Sequence, residues 1–68
     1  MKDNYVYWFH IDKPILQCSI MYRCEIQYIE KEVLKYIDND IPYNGKLYYS
    51  TYERATKTLR RRFGDYEN

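Results

Sequence analysis

The chain has only two glycines in 68 residues, Gly45 and Gly64. A phosphate-cradling loop needs several glycines close together, so that backbone amides can approach the anion, and no such run is present. Soft metal ligands are equally few. Cys18, Cys24 and His10 are the whole set, which is too small for a structural metal centre. No apolar run is long enough to span a bilayer. Met1-Lys2-Asp3 leads directly into an aromatic segment, so no signal peptide is expected and a cytoplasmic location is. Neither sign of charge dominates, with 11 basic and 10 acidic residues, which argues against a polyanion mimic and against a generic polycation.

The same scarcities argue against catalysis. A Cys-His pair can make a nucleophile when the imidazole lowers the thiol pKa, yet nothing in the spacing of His10, Cys18 and Cys24 requires one. Glu30, Glu32, Asp38 and Asp40 are spread around a predicted helix and its exit, as a solvated surface would be. No catalytic residue, cofactor or metal is assigned, and a non-enzymatic protein is expected. The two cysteines are expected to be buried, reduced thiols. On one strand they would lie roughly 20 Å apart, too far to bridge, so the alternative is an intermolecular disulfide.

Tyrosine, by contrast, is abundant, with ten in the chain. A single domain over residues 1–68 buries only about 60% of the surface of its unfolded chain, so not all ten fit in a core. Tyrosine combines large contact area with a polar tip, which suits interfaces and favours a homodimer. An A+T-rich genome would raise the tyrosine content as well.

The longest regular pattern runs from Leu16 to Tyr28. Leu16, Cys18, Ile20, Tyr22, Cys24, Ile26 and Tyr28 occupy every second position, which predicts a long half-buried strand. Before it, residues 4–11 are dense in strand formers. One face holds Tyr5, Tyr7, Phe9 and Ile11, and the other Val6, Trp8 and His10. Asp12-Lys13-Pro14 is a turn cluster, so the two segments are expected to form an antiparallel hairpin.

A helical period follows. Ile26, Ile29, Val33, Tyr36 and Ile37 share one helix face, and Asn39-Asp40-Ile41-Pro42 should end the helix. No good N-cap residue precedes it. Asn44-Gly45 is a strong two-residue hairpin signal, although Pro42 shortens the preceding arm and leaves a loop followed by one edge strand as the alternative. Ser50-Thr51-Tyr52-Glu53 forms a capping box, and a helix should run from Thr51 to Phe63 with Gly64 as its C-cap. The predicted fold is α+β: a hairpin, a helix, a short strand or loop, and a C-terminal amphipathic basic helix, with one face of the sheet packed on helices.

The last helix carries the main functional expectation. Tyr52, Ala55, Leu59 and Phe63 form its apolar stripe. Arg54, Lys57 and Arg61 lie opposite, with Arg60 and Arg62 on the flanks. A row of cations on a rigid element suits a phosphate backbone, and guanidinium groups grip phosphate in bidentate fashion. Thr51, Thr56 and Thr58 can add hydroxyl contacts. Cations near a helix C-terminus also suit the helix dipole without any partner.

Helix, connector and basic helix over residues 29–63 resemble a helix-turn-helix in outline, with a connector of about twelve residues, longer than that motif's tight turn. Hairpin then helix resembles the small DNA-binding domains at the start of phage integrases, by element order alone. The expected function is binding of nucleic acid or a nucleoprotein complex by a small protein of phage or mobile-element type, through Arg54, Lys57, Arg60, Arg61 and Arg62 with Tyr48 and Tyr49 beside them. The alternative is a protein-binding inhibitor of a host enzyme or defence system, anti-CRISPR-like, acting through a Tyr/Arg surface.

Overall fold

A computed structural model describes residues 4–13 and 20–64. Strand β1 (Tyr5–His10) is the centre of a three-stranded antiparallel sheet of order β2-β1-β3, between β2 (Tyr22–Glu25) and β3 (Lys46–Tyr49). The first five residues of β1 are strand formers, residues 5–8 pair with β2 and residues 7–10 with β3, and the alternation sends side chains to two separate cores. Tyr7 and Phe9 pack with Leu47, Tyr49 and Ala55 on one face. Val6 packs with Val33 and Tyr48 on the other, with Trp8, Ile29, Ile37 and Tyr43 around them. Both faces are therefore covered, where the sequence suggests one.

The hairpin expectation holds, with Tyr5 opposite Glu25 and Trp8 opposite Tyr22. The long half-buried strand does not. Strand β2 has four residues, Ile26–Tyr28 winds into a 3-10 turn, and Ile20, Tyr22, Ile26 and Tyr28 are exposed. Leu16 and Cys18 lie outside the described residues. The reason is position: β2 is an edge strand, and the apolar cover on its face closes over Val6 and Tyr48 instead.

The helix predicted through Ile37 is a single turn, α1 (Lys31–Leu34). Glu30 at its N-cap makes no side-chain capping bond, and so short a helix gains little from propagation. The tighter bond Tyr36 N to Val33 O (2.8 Å) winds it down, and Ile37 then forms a parallel bridge with Tyr48. The apolar period was meaningful even so, because Ile29, Val33 and Ile37 all reach the sheet. With its first helix reduced to one turn, the chain lacks the outline of a helix-turn-helix.

Asn44 (φ 52°) and Gly45 (φ 73°) form the expected two-residue turn, closed by paired bonds between Tyr43 and Lys46. It is followed directly by β3. A side chain on Gly45 would run into the Asp12 carboxylate, so both φ and space require glycine here.

Helix α2 (Tyr52–Phe63) begins one residue later than the capping box implies. Thr51 is the N-cap, its Oγ1 accepting from Arg54 N at 3.2 Å. Ser50 is engaged elsewhere, as described below. At the other end Gly64 (φ 86°) donates its N–H to Arg60 O at 2.7 Å. Ala55 is fully buried against the sheet, and Leu59 and Phe63 pack beside it. Tyr52, expected in this stripe, is instead exposed and meets Tyr7 edge-on.

Candidate functional site

Two contacts fix which way α2 faces. Ala55 sits beneath Tyr7, Phe9 and Tyr49, and Thr58 is the one buried polar residue among those described. At about 100° per residue, Lys57 and Arg61 then fall on the outward arc, with Arg60 at one margin and Arg54 at the other, whereas Arg62 falls on the same side as Ala55, in the exposed last turn. All five are exposed. The helix carries these five cations against one acid, Glu53. Arg60, Arg61 and Arg62 occupy its last turn, where the helix dipole favours positive charge.

Not all five cations are equally free. Arg54 Nη1 lies 3.8 Å from Asp38 Oδ2, so part of its charge is met within the molecule. Arg61 is near enough to the Tyr49 phenol to favour its ionised form. A surface groove of about 410 Å³ runs beside the arc, lined among others by Tyr52, Thr56, Lys57 and Arg60.

Of the three threonines only Thr51 keeps its O–H free to donate, because its Oγ1 serves as an acceptor in the cap. Thr51 caps the helix, Thr56 Oγ1 donates to Tyr52 O at 2.7 Å, and the Thr58 hydroxyl bonds to Tyr49. Tyr48 and Tyr49 are core residues, 6% and 2% exposed, and present no surface comparable with the cations. Burial is the main reason the pKa of each lies above its ordinary value. For Tyr48 the Glu30 carboxylate adds to the rise, and for Tyr49 the hydrogen bond to Asp40 does.

Sequence reasoning missed how α2 is held at its start. Asp38 and Asp40, expected to be solvated acids, form a clamp. Asp38 accepts from Ser50 N at 3.0 Å and from Ser50 Oγ at 2.6 Å, while its own N–H donates to Tyr48 O at 2.9 Å. Tyr49 Oη donates to Asp40 Oδ1 at 2.6 Å. Both aspartates have positive φ (65° and 59°), which their short polar side chains tolerate better than most. The available signal was the run Asp38-Asn39-Asp40, a composition suited to left-handed turn residues.

Elsewhere the chemistry is sparse. His10 lies near Asp12, 4.0 Å between Nδ1 and Oδ1, and edge-on to Tyr22. Cys24 stands opposite Val6, four residues along β1 from His10, a separation of roughly 13 Å at strand rise. Cys18 lies outside the described residues. No group of three or more His, Cys, Asp or Glu gathers to hold a metal among the described residues. No helix among them is long and apolar enough to cross a membrane. A scan against models of protein families found no match, and searches of curated proteins and of solved structures found none either.

Proposed function

We propose that the chain is a binding protein whose partner is nucleic acid, held by the phosphate backbone against the outward arc of α2. The observation that carries this reading is the division of α2 into a pinned inner face and an outer face of cations with one acid between them. Arg61 and Lys57 lead the contact, since they sit mid-arc, and Arg60 extends it. Arg54 contributes after release from Asp38, and Arg62, on the side of the wheel that carries Ala55, stands apart from the arc. Thr56 and Thr58, with their hydroxyls already engaged, have no part in it, whereas the Thr51 O–H can still donate to a phosphate oxygen. Contacts of this kind read charge spacing rather than base sequence, so weak sequence preference follows.

The test is fluorescence anisotropy of labelled DNA and RNA with the triple charge reversal Arg54→Glu, Lys57→Glu, Arg61→Glu. Binding is expected to disappear while the circular dichroism spectrum stays that of the native protein. Unchanged affinity in the folded variant rejects the reading.

A second reading is an inhibitor that binds a host protein. It is favoured by exposed Tyr52 beside Lys57 and Arg60 in the groove, a combination of side chains common at interface hot spots. In that case Tyr52→Ala would abolish partner capture, and nuclease treatment would not.

A further inference from the structure

The two edges of the sheet are finished differently. The outer edge of β3 is occupied, since Ile37 bridges Tyr48 and Asp38 N–H donates to Tyr48 O. No described residue pairs with the outer edge of β2. Ile26 N donates to Asn4 O at 2.7 Å, so the alternation of an antiparallel ladder turns the backbone groups of Tyr22 and Cys24 toward β1. Those of Arg23 and Glu25 therefore point away from the sheet. Among the described residues the Glu25 carbonyl accepts from the Cys24 thiol, at 3.5 Å. An open edge of this kind is a template for another strand.

We propose that a second copy of this chain pairs antiparallel along β2, with Arg23 opposite Glu25 of the other copy and Cys24 opposite its counterpart. The register follows from charge. Only residues whose backbone groups point outward can exchange bonds, so Arg23 and Glu25 must face Arg23 or Glu25 of the second copy. Two of the three two-fold arrangements set like charges directly opposite, Arg23 against Arg23 or Glu25 against Glu25. Only the third sets Arg23 against Glu25, and it does so twice. Both side chains lie on the α2 face of the sheet, where Arg23 already stacks 4.3 Å over the Tyr5 ring. In the same register Tyr22 meets Ile26 of the other copy, twice, on the opposite face. Both are large apolar residues left exposed here, at 38% and 44%. The product is a continuous six-stranded sheet, β3-β1-β2-β2-β1-β3, with both α2 helices on one face.

Sedimentation equilibrium of the full chain tests this. A dimer is expected. Arg23→Glu alone, or Glu25→Arg alone, makes both related pairs repulsive and should weaken association roughly tenfold or more. The double swap Arg23→Glu/Glu25→Arg restores opposite charges and should return the dissociation constant to near the original. A protein monomeric at several hundred micromolar, or single variants that associate as well as the parent, would overturn the proposal.

A second measurement does not depend on those variants. In the Cys18→Ser chain, diamide should join two copies through Cys24. The two thiols give up two protons and two electrons, which reduce diamide to the hydrazine. The register sets the two Cα atoms about 4.5 Å apart, inside bridging range. Absence of the cross-linked dimer at concentrations where the chain associates would also overturn the register.

Discussion

The two faces of the sheet are covered by very different means. On the α2 face a twelve-residue helix lies across Tyr7, Phe9, Leu47 and Tyr49, capped by Thr51 and ended at Gly64. On the other face residues 26–43 supply a 3-10 turn, one turn of α-helix and a single bridge. The second cover has little repeating backbone structure, and side-chain bonds hold much of it. Asp38 and Asp40 fasten its far end to Ser50 and Tyr49, and so to β3 and the start of α2. Covering a sheet requires apolar groups at the right places, and regular structure is only one way to put them there. Regularity matters where the opposite side of the element must present a patterned surface, as α2 does.

Mutation should separate the two faces. Phe9 is fully buried, stacked on Tyr49 and edge-on to Phe63. Phe9→Ala should cost about 3–5 kcal/mol, comparable with the whole stability of a domain this size, and thermal unfolding by circular dichroism should show most of the cooperative transition lost. Asp38→Ala removes the acceptor for two Ser50 bonds and leaves a residue poorly suited to φ 65°. A loss of about 2 kcal/mol is expected, with Asp38→Asn losing clearly less because asparagine keeps one acceptor and tolerates that backbone. Equal losses for the two, measured by urea unfolding, would mean that the clamp contributes little.

The smallest effect expected is on pH dependence. Tyr48 and Tyr49 have pKa values raised above the ordinary 10.0 in the folded chain. The unfolded chain would then release these protons first as pH rises. Their contribution is complete below about pH 10, and stability falls between that value and the raised folded values. Urea midpoints followed upward from pH 9 should decline. Tyr49→Phe should flatten the decline at its own cost of about 1 kcal/mol, through the lost bond to Asp40.

How much of this was legible in the sequence follows the same division. Strand β1 and helix α2 were readable because one period runs through each without conflict. The Tyr5-Tyr7-Phe9 and Val6-Trp8 alternation marks two faces, and Ala55, Leu59 and Phe63 mark the buried side of α2. The Asn44-Gly45 turn was readable from chemistry that only positive φ explains. Leu16–Tyr28 misled because alternation reports which residues share a face but not whether anything covers it. Ile26–Ile37 misled because helical spacing of apolar groups was met by a backbone that is mostly not helical. Within the candidate site the outward cations were legible, whereas the inward turn of Tyr48, Tyr49 and Thr58 depended on pairing and crossing geometry that appears only in three dimensions.

The proposed binding of nucleic acid by the outward arc of α2 rests on phosphate contacts. Its most direct test is the salt dependence of duplex DNA binding, measured by anisotropy for the parent chain and for Lys57→Ala. Each phosphate contact contributes about −0.9 to the slope of log K against log salt concentration. A slope of roughly −3 to −4 is expected for the parent, reduced in magnitude by about one in the variant. Binding that is indifferent to salt, or a slope that Lys57→Ala leaves unchanged, would contradict the proposal.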